Sequence, residues 1–324
     1  MRVLVTGGGG FIGSHVAARL LTRGCEVRVL DNFATGRRSN VDAVGPDVEL
    51  VEGDIQSYER ASKAVAGCEV VLHQAALPSV PRSIQDPLTS NVTNVIGTLN
   101  ILLAARDHGV RRVVYASSSS VYGANADLPK REHAPALPIS PYATAKLAGE
   151  GYARSFNSVY GLETVSLRYF NVFGPRQDPT SQYAAVIPSF IAALLAGRRP
   201  VIFGDGEQSR DFTYVANVVE ANVLAMDAAH VAGKVYNIAC GEQVSLNRLV
   251  AELRDLLGSD TEPVYAAARA GDIKHSVADL TRARRELGYE PTVRLREGLQ
   301  RTIQHFRADE LPGPVDLMLA GRDR

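Results

Sequence analysis

The chain has 324 residues, with 35 Lys and Arg against 35 Asp and Glu, so its formal charge is zero and its sequence pI is about 7.1. That balance leaves no basic footprint for nucleic acid and no electrostatic attraction to an anionic membrane. Cys25, Cys68 and Cys240 are odd in number, widely separated and in no CxxC spacing, which argues against a disulfide framework or a zinc motif and for small core thiols in a reducing, cytoplasmic setting.

From Met1 the chain passes directly into an apolar strand with no basic leader or cleavage site, and no apolar stretch approaches the roughly 18 residues of a membrane span. An unanchored cytoplasmic protein is expected. Residues 2–6 are apolar and β-rich, end in Gly7-Gly8-Gly9-Gly10-Phe11-Ile12-Gly13, and lead into helical spacing over 14–23. Further strands are expected at 26–30, ending at Asp31, at 48–51, ending near Asp54, and at 69–72, ending at His73. An amphipathic segment over 91–107 feeds a strand at 112–116, whose end carries Ser117 to Ser120 before Val121-Tyr122-Gly123. Pro129, Pro135, Pro138 and Pro141 punctuate a covering loop, followed by a helix over 142–160 and a strand at 163–169.

Strands alternating with helices predict an α/β fold, a doubly wound parallel (Rossmann) sheet whose strand ends converge on one crevice. At this length two lobes are expected. Residues 1–169 form the dinucleotide domain and 170–307 a smaller α/β substrate lobe, with 235–238 able to return a strand to the large sheet and 308–324 a tail.

A glycine-rich turn between strand and helix lets backbone approach a pyrophosphate and presents the helix N-terminus to its charge. The run fits both Gly7-x-x-Gly10-x-x-Gly13 and Gly8-x-Gly10-x-x-Gly13, so spacing does not choose a subtype. Gly7, Gly10, Phe11, Ile12 and Gly13 would form this cradle, with Asp31 and Asn32 at the tip of the second strand. There a carboxylate accepts hydrogen bonds from an adenosine ribose and repels a 2′-phosphate, which favours NAD over NADP. Arg37 and Arg38 follow closely and soften that preference. Asp54 and Ile55 end the next strand where adenine would lie, although Asp54 reads equally well as a turn residue.

Tyr142 and Lys146 stand one helical turn apart on the same face, behind Ser140 as N-cap and Pro141 as first helical residue. A cation there can stabilise a phenolate. Bringing an ordinary tyrosine from ~10 to neutrality needs about three pKa units, roughly 4 kcal/mol. Taken alone the pair also fits a solvated helix face. His73, with no cluster of ligands about it, reads as a packed histidine.

With the glycine turn, Asp31, the serine run and Tyr142-x-x-x-Lys146 in that order, the chain resembles the extended short-chain dehydrogenase/reductases that act on nucleotide sugars, over residues 1–306. It is similar above all to UDP-hexose 4-epimerases, particularly bacterial UDP-N-acetylglucosamine 4-epimerases. The match is carried by Ser79-Val80-Pro81-Arg82-Ser83, by the run from Arg168 to Gly174 and Arg176-Gln177-Asp178-Pro179, by the run from Gly204 to Phe212, and by the run from Gly271 to Ser276. The resemblance implies a homodimer built on the 91–107 and 142–160 helices, a tightly held NAD, and a UDP-sugar substrate. It further implies that Gln74, Ala75, Ala76, Asn94 and Tyr169 line the NAD site. On the substrate side it implies Ser79 and Ser119 among the substrate-binding residues, Asn171 with Tyr169 at the junction of cofactor and sugar nucleotide, Arg210 and Arg269 toward the diphosphate, Asp272 toward the uridine ribose, and Ser276 as a small gate residue. Tyr142 would be the base, Lys146 its partner, and Ser118, three residues before Val121, the proton relay.

Dehydratases and decarboxylases of this group carry Asp or Glu immediately before the Val-Tyr-Gly, where this chain has Ser119 and Ser120. Serine is no carboxylate base near neutrality, so elimination chemistry is disfavoured. The expected activity is 4-epimerisation of UDP-N-acetylglucosamine, with UDP-glucose or UDP-glucuronate as alternative substrates.

Overall fold

The computed structural model describes residues 1–179, 185–268 and 274–308. Its centre is a seven-stranded parallel sheet. The first six strands are β1 (Arg2–Thr6), β2 (Glu26–Asp31), β3 (Glu49–Glu52), β4 (Val70–His73), β5 (Arg112–Ser118) and β6 (Glu163–Tyr169). Across the sheet they run β6-β5-β4-β1-β2-β3, and the Lys234–Ile238 strand adds itself outside β6. That last strand pairs parallel with β6, Asn237 opposite Arg168 and Ile238 opposite Tyr169, so the second half of the chain does return to the first sheet.

Helices cover both faces, which is why the inner strands are apolar on both sides. Val3, Leu4, Val5, Val71, Leu72 and Val114 are wholly buried, each contributing about 1.5–3 kcal/mol. One core lies between the sheet, the Phe11–Thr22 helix and the Val215–Asp227 helix. The other lies under the Tyr58–Val65 helix and the helix ending at Asp107. Chain order reverses between β1 and β4, and the crevice opens at that switch point.

The helix expected over 91–107 starts earlier and is not regular: Pro87–Asn91 and Gly97–Asp107 are α-helical and Val92–Ile96 is a π-turn between them. Asp86 caps it, accepting from Thr89 N at 3.0 Å. At 21 residues and a mean hydropathy of 1.2, Pro87–Asp107 is long and apolar enough to cross a bilayer, contrary to the sequence reading. Of its 18-residue apolar window, 56% is buried within the protein, against the Tyr58–Val65 and Pro141–Tyr160 helices.

The remaining half carries short two-stranded ribbons, among them Ser209–Arg210 with Val244–Ser245. Asp211 knits this half together. Its wholly buried carboxylate accepts from Cys240 N, Gly241 N and Ala278 N at 2.9–3.1 Å.

Candidate active site

A cavity of about 1100 Å³ runs along the carboxyl ends of β1, β2, β4, β5 and β6. One end is the glycine turn. Gly7 has φ +71°, and a Cβ there would sit 2.7 Å from Ala75 N. On Gly13 a Cβ would collide with the Gly7 carbonyl, so only glycine allows the helix to approach the turn this closely. Gly10, the N-cap of the Phe11–Thr22 helix, provides no side-chain cap, and no acidic residue stands in the first turn. The uncapped N–H groups and the positive helix end therefore face the cavity ready for an anion.

Asp31 is buried and accepts from Gly9 N and Phe33 N, both at 2.8 Å, one per oxygen. It ties the turn to the strand tip and retains lone pairs toward the cavity for hydroxyl donors. Asn32 donates to Asp54 at 2.7 Å. Asp54 also accepts from Gln56 N at 2.8 Å, so it is both turn residue and wall residue. Phe11, Ile12, Ile55, Gln74, Ala75 and Ala76 all line the same cavity. The donor set fits a dinucleotide: an uncapped helix N-terminus, a glycine cradle that a Cβ would fill, and a carboxylate at the tip of the second strand.

Asn94 is placed differently from expectation. It lies in the π-turn behind the wall, almost wholly buried, accepting from Leu77 N at 2.8 Å and donating to Leu77 O at 3.1 Å. It therefore acts on the 74–77 segment rather than from the cavity surface. His73 anchors the other end of that segment. Thr98 donates its hydroxyl hydrogen to Asn94 O at 2.7 Å, so His73 Nε2 donates to Thr98 Oγ1 at 3.0 Å and His73 Nδ1 accepts from Thr6 at 2.7 Å. Thr6 in turn accepts from Ala75 N at 3.2 Å. Burial, with the Lys146 charge adding to it, pushes the imidazole down to about 3, so it stays neutral.

The Pro141–Tyr160 helix supplies the reactive pair. Ser140 caps it by accepting from Ala143 N at 3.2 Å, and the Tyr142 N–H donates to Ser83 Oγ at 3.1 Å. Tyr142, Lys146 and the segment Ser117 to Ser120 contribute to the lining of the cavity. Among the serines, Ser117 gives its hydroxyl to Glu150. Ser118, on the other side of the strand, donates its hydroxyl to Ser120 Oγ at 3.0 Å, accepts from Ser120 N at 3.1 Å, and stands near enough to the Tyr142 phenol to pull its pKa down. Of the four serines, Ser118 is the one that bears on the phenol.

The electrostatics run against the sequence reading. Burial pushes the Tyr142 phenol up to about 12, with the Ser118 hydrogen bond pulling the other way. Lys146 is pushed down to about 8 by burial. Its ammonium donates to Ala116 O at 2.8 Å and lies 5.9 Å from the Tyr142 ring centre. Spacing placed the two groups together, but desolvation outweighs what one shared helical turn provides.

Tyr169 lines the cavity with its ring while its hydroxyl joins Gln74 and Asn222, at 3.2 and 3.1 Å. Asn222, in the Val215–Asp227 helix, was not anticipated, since nothing in the sequence marks which polar residue of an apolar helix turns inward. Ser79 and Asn171 line the cavity with φ of +128° and +32°, and Arg176, also on the wall, has φ +65°. Strained backbone thus gathers at this site. Ser119 stands in the wall beside Ser118. Arg210 and Ser276 do not line it: Arg210 donates to Ser209 O at 2.9 Å, and Ser276 N donates to the same carbonyl at 3.1 Å. Arg269 and Asp272 lie outside the described residues. Arg82, Ser83, Arg176 and Gln177 join the site from motifs that carried the resemblance without being singled out.

Residues 3–239 match the model of the NAD dependent epimerase/dehydratase family. The UDP-glucose 4-epimerase of Mycolicibacterium smegmatis is 41% identical over 311 residues, 95% of this chain and 99% of that protein. Among solved structures, the UDP-N-acetylglucosamine 4-epimerase from Methanobrevibacter ruminantium M1, in complex with UDP-N-acetylmuramic acid, superimposes with a TM-score of 0.91. It is 41% identical and covers 95% of this chain and 98% of that one. The UDP-glucose 4-epimerase of Thermus thermophilus, in complex with NAD, has a TM-score of 0.88 at 38% identity, covering 95% and 100%. The chain belongs to the NAD dependent epimerase/dehydratase family, and it is an NAD-dependent enzyme.

Proposed function

We propose that this enzyme interconverts the C4 epimers of a UDP-hexose, with UDP-N-acetylglucosamine and UDP-N-acetylgalactosamine as the principal pair. The observation that carries the reading is the wall of the cavity at the end of β5. A tyrosine, a serine that bears on its phenol and a lysine converge there, with serines at 119 and 120 where elimination would need a carboxylate.

Epimerisation at C4 oxidises an alcohol to a ketone and reduces it from the other face. Loss of the O–H proton to the Tyr142 phenolate and of hydride from C4 leaves a 4-keto sugar; hydride returning to the opposite face of C4, with the proton returning to the C4 oxygen, gives the epimer. Ser118 shares the proton with Tyr142, and Lys146 faces the same cavity as a second donor. NAD, when bound, supplies the hydride acceptor and a positive charge within the crevice. That charge opposes the burial that holds the phenol near 12. Arg210, Arg269, Asp272 and Ser276 are proposed to hold the diphosphate, the uridine ribose and the sugar's C2 substituent. Two of these lie outside the described residues, and Arg210 and Ser276 stand back from the cavity wall.

One observation favours a second substrate class. Arg176 lines the cavity, and its buried Nη1 has no hydrogen-bond partner among the described residues. A free guanidinium N–H suits a carboxylate, as in a UDP-uronate.

The purified protein, given UDP-N-acetylglucosamine, UDP-glucose and UDP-glucuronate separately without added NAD, is expected to yield the 4-epimer of the first by NMR. No epimer from any of the three would end the proposal. Turnover of the glucuronate alone would replace it with the uronate reading.

A further inference from the structure

Beneath the serine run lie two charged residues that this chemistry does not use. Glu150 and Arg168 are 2% and 3% exposed. Arg168 Nε donates to Glu150 Oε1 at 2.8 Å and Nη2 to Oε2 at 2.7 Å, a bidentate pair. Oε1 also accepts the Ser117 hydroxyl at 2.5 Å. The guanidinium lies 4.7 Å from the Tyr122 ring centre, and Tyr122 donates to Asn237 at 2.7 Å. Stability alone gives little reason for such a pair, because replacing a buried ion pair with apolar groups is often neutral or stabilising.

Geometry gives a reason. Tyr142, Lys146 and Glu150 are spaced four residues apart on one face of the helix, and all three reach the end of β5. Tyr142 meets Ser118, Lys146 donates to Ala116 O, and Glu150 takes Ser117. Ser117 and Ser118 point to opposite faces of the strand, so holding the first directs the second. Ser117 also stands opposite Arg168 in the β5–β6 register. One carboxylate therefore grips the strand, its neighbour and the helix together.

We propose that the Glu150–Arg168 pair is a positioning device: by holding Ser117 it sets the rotation of the tyrosine helix against β5 and brings the Tyr142 and Ser118 hydroxyls face to face. This rests on the roles given to Tyr142 and Ser118 above. Neither Glu150 nor Arg168 touches substrate. Their removal should therefore act through placement, where a shift near 1 Å is worth on the order of 100-fold in rate.

The test is steady-state kinetics and crystal structures of the holoenzyme carrying Ser117→Ala, Glu150→Gln or Ser117→Thr. Ser117→Ala and Glu150→Gln should lower kcat by about 10- to 100-fold with KM within about threefold, and the Tyr142 hydroxyl should stand withdrawn from Ser118. Ser117→Thr, which keeps the hydroxyl, should restore kcat. Should Glu150→Gln fail to fold, Ser117→Ala alone decides, since it leaves the ion pair intact. Tyr142 and Ser118 superimposing on the wild type in the crystals would overturn the proposal, and so would a displaced phenol with unchanged kcat. If the wild type turned over no UDP-hexose, the functional reading would fail, while the crystallographic comparison would still decide whether the pair positions the phenol.

Discussion

Tyr142 is held from two directions, its N–H by Ser83 and its helix by the Ser140 cap, with Ser118 acting on its phenol. Replacing it with Phe keeps the ring and all the packing and removes only the proton carrier. Tyr142→Phe is expected to lower kcat by about 10²–10⁴ while the affinity for a UDP-sugar, read by calorimetry, stays within threefold of wild type. Activity surviving within tenfold would mean another base. The glycine turn makes the opposite kind of demand, for space. A methyl group on Gly13 would drive into the Gly7 carbonyl, a backbone atom that cannot swing aside. Gly13→Ala should therefore emerge from purification with little or no NAD by absorbance and mass, and retained stoichiometric cofactor would show that the turn can relax. Both residues were marked in the sequence by spacing together with the order of motifs around them. The direction of the Tyr142 shift was not, because a spacing rule counts the neighbouring ammonium and is blind to the desolvation that a closed fold imposes on both groups.

Elements built from apolar runs were the easiest to read. Every strand of the large sheet was expected within a residue or two, because the inner strands are buried on both faces and have little freedom to look otherwise. The π-turn at Val92–Ile96 was not, since it arises from tertiary demand: it turns Thr93 to the cavity and Asn94 to Leu77 within a single helix. The ribbons of the second half are two or three residues long, too short for any periodicity to show. The tyrosine helix rests on β5 at a distance that only a glycine permits. A Cβ on Gly149 would collide with the phenol of Tyr115, which is itself 1% exposed and has nowhere to go. Gly149→Ala is expected to cost about 1–3 kcal/mol by urea denaturation and to reduce kcat by lifting the helix from the serine run. A stability equal to wild type would show that Tyr115 can repack.

For the molecule as a whole, burial governs both assembly and acid stability. The helices that cross the outer face of β4 and β5 leave Ile84, Leu88, Tyr152, Val159 and Tyr160 bare at 63%, 72%, 38%, 70% and 51% exposure. Two copies joined through this face would cover them, and light scattering is expected to give twice the chain mass, falling toward one chain mass on Leu88→Asp with Val159→Asp. Acid stability depends on groups far from that face. His73 and His15 are pushed down by burial to about 3 and about 4, so each contributes stability that is present above pH 6.5 and lost as the pH falls. Asp211 is pushed up to about 6 by burial, so its contribution has the other sign, present at low pH and lost as the pH rises through 6. Between pH 6 and 4 the unfolded chain therefore binds two protons at the histidines that the folded chain refuses, while the folded chain binds one at Asp211 that the unfolded chain refuses. The difference, two minus one, is one proton. These three groups make stability fall by about 1.4 kcal/mol per pH unit across that window. Removing the offset with Asp211→Asn should steepen the fall to roughly 2.7 kcal/mol per unit, measured by urea unfolding at pH 6, 5 and 4. An unchanged slope in that variant would mean that Asp211 titrates at an ordinary value, held down after all by the backbone N–H groups that surround it.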